Sequence, residues 1–376
     1  MPINQLLKLK DLNINARLEN LTSTVVNNDL LLSILVSLIL IIVGVTFGYE
    51  NNQKVPITHS KSVLYRLEPK NSLSFMSNWD GPIYINIAKH GYSQKSSANF
   101  FPLYPVLISI VNKVISSPLY SALIVAWASV VGAIYFYLRV VKSFFKIKDN
   151  ITATKALLLF ILFPSAVFLL ATLTESLFAF LSLAAIYFAM KNRYILAGVF
   201  SMFATSTKPT GIFILILLGL ILIENRLKLT KVFLSMLIGS VGILGYMAYL
   251  YIKYANPFEF IVTQNHHGWF QHLLIAQSRN LSPMNIIFLI PIVISVFYWW
   301  KRKKSFSIYS ILFILIPLLG GQFGGFVRYA LMAFPVFLMF YDYLRNRKLL
   351  YIIVLMLSTI GWSYILLQYA GGYIGG

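Results

Sequence analysis

The chain has 376 residues, 58% of them apolar and only 11% charged. Soluble domains carry about 25% charged and about 45–50% apolar residues, so a soluble globular protein is excluded, and so is a disordered chain. With no cysteine, disulfides, thiolate metal sites and cysteine nucleophiles are excluded too. The net charge of +20 fits basic cytoplasmic loops of a membrane protein better than a nucleic-acid footprint.

In chain order, residues 1–29 read as a polar cytoplasmic arm. A membrane span needs about 20 mostly apolar residues. The candidates are 30–49, 118–141, 153–171, 175–190, 194–207, 211–224, 232–252, 284–300, 306–322, 329–344 and 349–368, about eleven in all. The first reads as an uncleaved signal-anchor, because no small-residue cleavage site follows it. Segment 101–116 is apolar but interrupted by Pro102, Pro105 and Lys113. Basic clusters follow every second span: Lys142/Lys146/Lys148, Lys191/Arg193, Arg226/Lys228/Lys231, residues 301–304 and Arg345/Arg347/Lys348. They share one side only if 101–116 does not cross. A cytoplasmic N-terminus then puts 20 of the 31 basic residues inside, and six of the other 11 fall in the long loop 50–100. The expected fold is an all-α polytopic membrane protein. Residues 30–376 form one transmembrane domain, whose large first outer loop, about 50–117, contains short interfacial helices.

Ionisable residues at bilayer depth are costly and usually mark function. The informative ones gather on the expected outer side: Asp80, Glu175, Lys208, Glu259, His266, His267 and Arg328. Asp80 opens an expected short helix with Pro82 in its first turn and Gly91 at its end. It reads either as the N-cap or as a fixed, reactive carboxylate, with Tyr84 on the same face. Glu175 sits where a helix dipole favours an acid, or it holds a hydroxyl. Lys208, in Lys208-Pro209-Thr210-Gly211, reads as a snorkelling lysine or a phosphate contact. Arg328 follows a glycine pair and reads as an interfacial anchor or a bidentate phosphate grip. His266-His267 suit hydrogen bonding or an acceptor site better than a metal, since adjacent histidines point different ways.

Trp79-Asp80, Tyr84, Ile87-Ala88 and Gly91-Tyr92, followed by Phe100-Phe101-Pro102-Leu103-Tyr104-Pro105, together resemble the signature of PIG-V-type mannosyltransferases. These belong to the GT-C superfamily of membrane glycosyltransferases. Pro164-Ser165, Thr174-Glu175-Ser176-Leu177-Phe178, Lys208-Pro209-Thr210-Gly211 and Arg328-Tyr329 with Phe334-Pro335 fit the same pattern. The resemblance departs at Lys208, where family members commonly carry arginine, and around 82–84, where histidine is common.

The resemblance implies a polyprenyl (dolichyl) phosphate sugar donor, most often of mannose, and transfer with inversion on the non-cytoplasmic face. It also implies a catalytic aspartate in the first large outer loop, where charge counting separately places Asp80. The expected roles are then Asp80 as general base, and Lys208 and Arg328 at the donor phosphate. Trp79, Tyr84, Tyr104, Glu175, His266 and His267 would meet sugar or acceptor. The acceptor would be a glycan, glycolipid or protein, in a cell membrane or the endoplasmic reticulum according to source. No cofactor is required by this scheme, although a divalent ion is left open, and no nucleic acid is involved. The competing expectation is a lipid or glycolipid flippase, which would place polar groups near mid-membrane and along both access routes.

Overall fold

Apolar runs separated by short basic turns fold here into packed helices, with no strand among the described residues. The computed structural model describes residues 28–52, 72–266, 282–320 and 325–373. Residues 1–27 of the expected arm 1–29, part of the first loop, residues 267–281 with His267, residues 321–324 and residues 374–376 lie outside that set. The helices are α1 (Asp29–Asn52), α2 (Asp80–His90), α3 (Leu103–Ile115), α4 (Pro118–Phe145), α5 (Asn150–Ile161), α6 (Glu175–Met190), α7 (Tyr194–Thr205) and α8 (Gly211–Glu224). They continue with α9 (Leu229–Tyr254), α10 (Glu259–His266), α11 (Pro283–Trp300), α12 (Lys304–Gly320), α13 (Phe326–Ala330), α14 (Pro335–Leu344) and α15 (Lys348–Gly371).

Five of these, α1, α4, α9, α11 and α15, are long and apolar enough to cross a membrane. Six further apolar helices, α3, α5, α6, α7, α8 and α12, have only 10–17 residues. At about 1.5 Å per residue they fall short of a hydrocarbon core of about 30 Å.

Two expected spans are broken. The segment 153–171 is helical to Ile161 and then tightens into a 3₁₀ turn at Pro164–Leu169. Pro164 has no N–H to continue the ladder, and Phe163 before it is extended, with ψ 138°. The segment 329–344 is divided between the five-residue α13 and α14, which restarts with Pro335 at its first turn.

Small residues set a close helix contact between α7 and α9. A Cβ on Gly242 would lie 2.0 Å from the Met202 carbonyl oxygen, and one on Gly198 would lie 2.7 Å from that of Ser235. Thr205 Oγ1 donates across this seam to the Gly239 carbonyl at 2.8 Å. Without a hydrophobic drive in lipid, such packing and hydrogen bonding hold helices together.

Polar contacts divide the bundle into two ends. At one, Asp29 pairs with Lys142 (2.5 Å) and Arg139 (3.2 Å), and Arg139 reaches Tyr187 (2.8 Å). There Asn225 meets Asn192 (2.8 Å), Glu224 meets Lys303 (2.6 Å) and Tyr298 meets Asp342 (2.6 Å). Each basic cluster after a pair of expected spans therefore belongs to this end. The other end carries Asp80, Glu175, Lys208, Arg328 and the pair Lys95–Glu259 (3.3 Å).

Candidate active site

Asp80 is placed by a tight turn. The Gly81 N–H donates to the Asn78 carbonyl at 3.2 Å. Trp79 between them has φ 58° and ψ −110°, the angles of the first central position of a type II′ turn, which glycine favours. A side chain held there costs on the order of 1–3 kcal/mol and persists only where its surroundings fix it. Three contacts do so. The Thr172 N–H donates to the Met76 carbonyl (2.9 Å), Thr172 Oγ1 donates to Ser77 Oγ (2.6 Å), and buried Asn78 bonds to Tyr369 near the end of α15. Gly81 lies flush on this support: a Cβ there would sit 2.3 Å from Thr172 Oγ1.

The N-cap reading of Asp80 is corrected by this turn. Trp79 holds the cap position, no side-chain cap bond forms, and Asp80 is the first residue of α2. Gly91 ends the helix as expected, with φ 65° and its N–H on the Ile87 carbonyl at 2.8 Å.

Asp80, Glu175, Lys208 and Arg328, spread over 248 residues of chain, meet in one cluster. Arg328 Nη1 donates to Asp80 Oδ2 at 2.8 Å, and its Nε donates to Glu175 Oε1 at 3.0 Å. Lys208 Nζ donates to the same Glu175 oxygen at 2.6 Å and lies 5.4 Å from the Tyr329 ring centre. Glu175 is wholly buried and the two cations nearly so, whereas the Asp80 side chain is 31% exposed. Two acids and two bases leave the cluster formally neutral, which is how buried charges are tolerated. Lys208 is held by the sharp turn between α7 and α8. Burial lowers its pKa, while the Glu175 carboxylate acts in the opposite direction.

Tyr84 lies one turn along α2 from Asp80. Its ring meets Phe100 and Tyr104 edge-on, at 5.1 and 5.3 Å between centres. Burial, with Asp80 and Glu175 nearby, raises the Tyr84 pKa well above its usual value, so the phenol stays protonated. Tyr104 is fully buried and donates to the Ala122 carbonyl at 3.1 Å. Trp79 presents its indole outward, 41% exposed. His266 is exposed at the last residue of α10, a helix tied to the 95–99 segment by Gln264–Asn99 (2.9 Å) and Thr263–Lys95 carbonyl (3.3 Å) bonds, apart from the four-charge cluster. Among the described residues, no group of three or more His, Asp or Glu side chains is arranged to hold a metal ion.

Residues 24–299 match the family Mannosyltransferase (PIG-V). The chain belongs to the PIG-V mannosyltransferase family. The match includes Asp80, Glu175 and Lys208 and ends before Arg328. GPI mannosyltransferase 2 of Drosophila pseudoobscura pseudoobscura is 26% identical over 213 residues, covering 50% of this chain and 46% of that protein. GPI mannosyltransferase 2 of Drosophila melanogaster is 26% identical over 214 residues, covering 50% and 47%. The chain thus spans about half the length of the curated relatives it matches.

Three site residues of this PIG-V family chain escape sequence reasoning: Asn78, Thr172 and Tyr369. Asn78 stands beside the motif, but a neutral amide in a loop carries no signal of its buried bonds. Tyr369 is one of 23 tyrosines, at the end of an apolar span, where aromatic residues are common in any membrane protein.

Proposed function

We propose that this protein is a membrane glycosyltransferase that moves a mannosyl or related hexosyl group from a polyprenyl or dolichyl phosphate to an acceptor hydroxyl on the non-cytoplasmic face. Family membership supports the sugar chemistry, and the names of the two fly relatives favour a glycosylphosphatidylinositol-type acceptor. The observation that carries the mechanism is the exposure of Asp80 in a cluster whose other three charged members are buried.

In this reading Asp80 takes the proton of the acceptor hydroxyl as its oxygen attacks the anomeric carbon, with inversion. General-base assistance of this kind is worth typically about 10²–10⁴-fold. The bond from that carbon to the phosphate oxygen breaks, and the lipid phosphate leaves with the electron pair. The transition state is oxocarbenium-like. Once Asp80 is protonated, the cluster changes from neutral to one net positive charge. That positive charge, on Arg328 and Lys208, arises as the leaving phosphate gains negative charge, and fixed donors in a water-poor site stabilise it. Glu175 keeps both cations in place. Trp79 offers an exposed face for a sugar, and Tyr104 backs Tyr84. No step is routed through a metal ion.

The membrane arrangement follows the same reading. The end holding the basic clusters is cytoplasmic, Asp80 faces the opposite side, and α3 lies in the interface, with Val106, Ile110 and Val114 exposed to lipid. The other five shorter apolar helices, which fall short of the core by themselves, complete the expected crossings together with the turns that adjoin them.

The test is incubation of the purified protein with radiolabelled polyprenyl-phosphate mannose and a panel of acceptors that includes glycosylphosphatidylinositols. A labelled glycosidic product with release of polyprenyl phosphate is expected. Movement of the labelled lipid across vesicles with no new glycosidic bond would establish the flippase reading instead.

A further inference from the structure

The family match ends at residue 299, so it does not reach the C-terminal helix α15. Yet Tyr369, in the last turn of α15, makes some of the closest polar contacts to the turn that bears Asp80. Asn78 N–H donates to the Tyr369 phenol oxygen at 3.1 Å. Asn78 Nδ2 donates to the Tyr369 carbonyl at 2.6 Å and to the Phe75 carbonyl at 3.2 Å. The phenol O–H in turn faces the Met76 and Asn78 carbonyls at 3.3 and 3.4 Å. Both residues are fully buried, and the Tyr369 ring packs edge-on against Phe168 at 5.7 Å.

We propose that Tyr369 is a positioning residue of the active site: by clamping Asn78 it holds Trp79 in its left-handed conformation and thereby sets where the Asp80 carboxylate points. The inference rests on the reading of Asp80 as general base. It adds that α15 completes the site. Three observations support it. Trp79 is a bulky residue in a backbone conformation suited to glycine, so something must hold it there. The residue before it, Asn78, is bonded through both backbone and side chain to one position of α15. The residue after it, Asp80, is the exposed acid of the charge cluster. Arg328 fixes one carboxylate oxygen, but a bond to the end of the Asp80 side chain does not set the main-chain angles of Trp79. The Thr172 bonds end at Met76 and Ser77, two residues short of Trp79. The Tyr369 contacts, by contrast, bond Asn78 itself, the residue directly before the turn's first central position, to a distant helix.

Two measurements test this. Steady-state kinetics with polyprenyl-phosphate mannose compare the natural chain with Tyr369→Phe, which removes the phenol alone. A misplaced reacting group costs about 10–100-fold in rate, so kcat should fall by that factor while KM for the donor is kept. The second measurement is independent of activity. Because the chain contains no cysteine, Trp79→Cys provides a unique maleimide target, and its labelling rate is compared with and without Tyr369→Phe. Labelling should become several-fold faster once the clamp is cut. Asn78→Asp, which keeps shape but removes the side-chain donor, should behave as Tyr369→Phe does and serves in its place if that variant does not fold. An unchanged labelling rate overturns the proposal whatever the kinetics show, and so does faster labelling with an unchanged kcat. If Asp80→Asn keeps its transfer activity, the base assignment fails, while the labelling comparison still decides whether Tyr369 holds the turn.

Discussion

At the scale of single residues, one oxygen atom does much of the organising. Glu175 Oε1 accepts from Lys208 at 2.6 Å and from Arg328 at 3.0 Å, in a place without solvent. Removing one partner of a buried ion pair leaves a charge uncompensated and costs about 3–5 kcal/mol. Glu175→Ala strands Lys208 and leaves Arg328 with Asp80 alone, and should give the largest loss of thermal stability in detergent. Glu175→Gln keeps the shape and an acceptor and should lose less. Lys208→Met leaves Glu175 still bonded to Arg328 and should lose least. Melting temperatures in the reverse order, or equal ones, would show that the cluster is not held together through Glu175. The sequence supplies the identities of these four residues, because charged side chains in an apolar chain are conspicuous. It does not supply their pairing. Considered alone, Lys208 reads as a snorkelling lysine or a phosphate contact and Arg328 as an interfacial anchor or a phosphate grip, and only the fold shows each committed to a carboxylate.

At the scale of elements, the start of α2 matters most. Gly81 lies against Thr172 so closely that a methyl group would sit 2.3 Å from Thr172 Oγ1 and 2.7 Å from Ser77 Oγ. Gly81→Ala should push α2 away from the 172–175 segment, parting Asp80 from the Arg328–Glu175 pair while leaving the rest of the bundle folded. Transfer should fall on the order of 10²-fold, as for misplacement of a reacting group, with an unchanged elution profile on size exclusion. Activity near that of the natural chain would mean that the contact is not needed. Long elements were legible from hydropathy: α1, α4, α9, α11 and α15 all lie where apolar runs of full length predict them. The breaks at 161–164 and 330–335 were hidden, because proline inside an apolar run is common in membrane helices, where neighbours re-satisfy the freed backbone. The turn at Asn78–Gly81 was hidden for a different reason: tryptophan gives no hint of a left-handed backbone.

At the scale of the molecule, the separation of polar contacts into two ends makes sidedness a measurable property. The absence of cysteine allows single reporters to be introduced anywhere. Gln94 is exposed at the end that carries Asp80, and Lys301 is exposed at the end that carries the basic clusters. In sealed vesicles with the cytoplasmic face outward, Lys301→Cys should react with a membrane-impermeant maleimide, and Gln94→Cys should react only after permeabilisation. Equal reaction of both before permeabilisation, or the reverse pattern, would reject the orientation derived from the positive-inside rule. Charge counting alone suggested this arrangement, and the pairing of Asp29, Lys142, Glu224 and Lys303 at one end is what it requires of the fold.

In the proposed reaction the carboxylate of residue 80 is the group that takes the acceptor proton. Sugar transfer from polyprenyl-phosphate mannose by purified Asp80→Asn, compared with the natural chain at equal amounts of folded protein, tests it most directly. The amide keeps the size and can still meet its neighbours but cannot serve as the base, so transfer should fall by about 10²–10⁴-fold. Transfer within a few-fold of the natural chain would contradict the account.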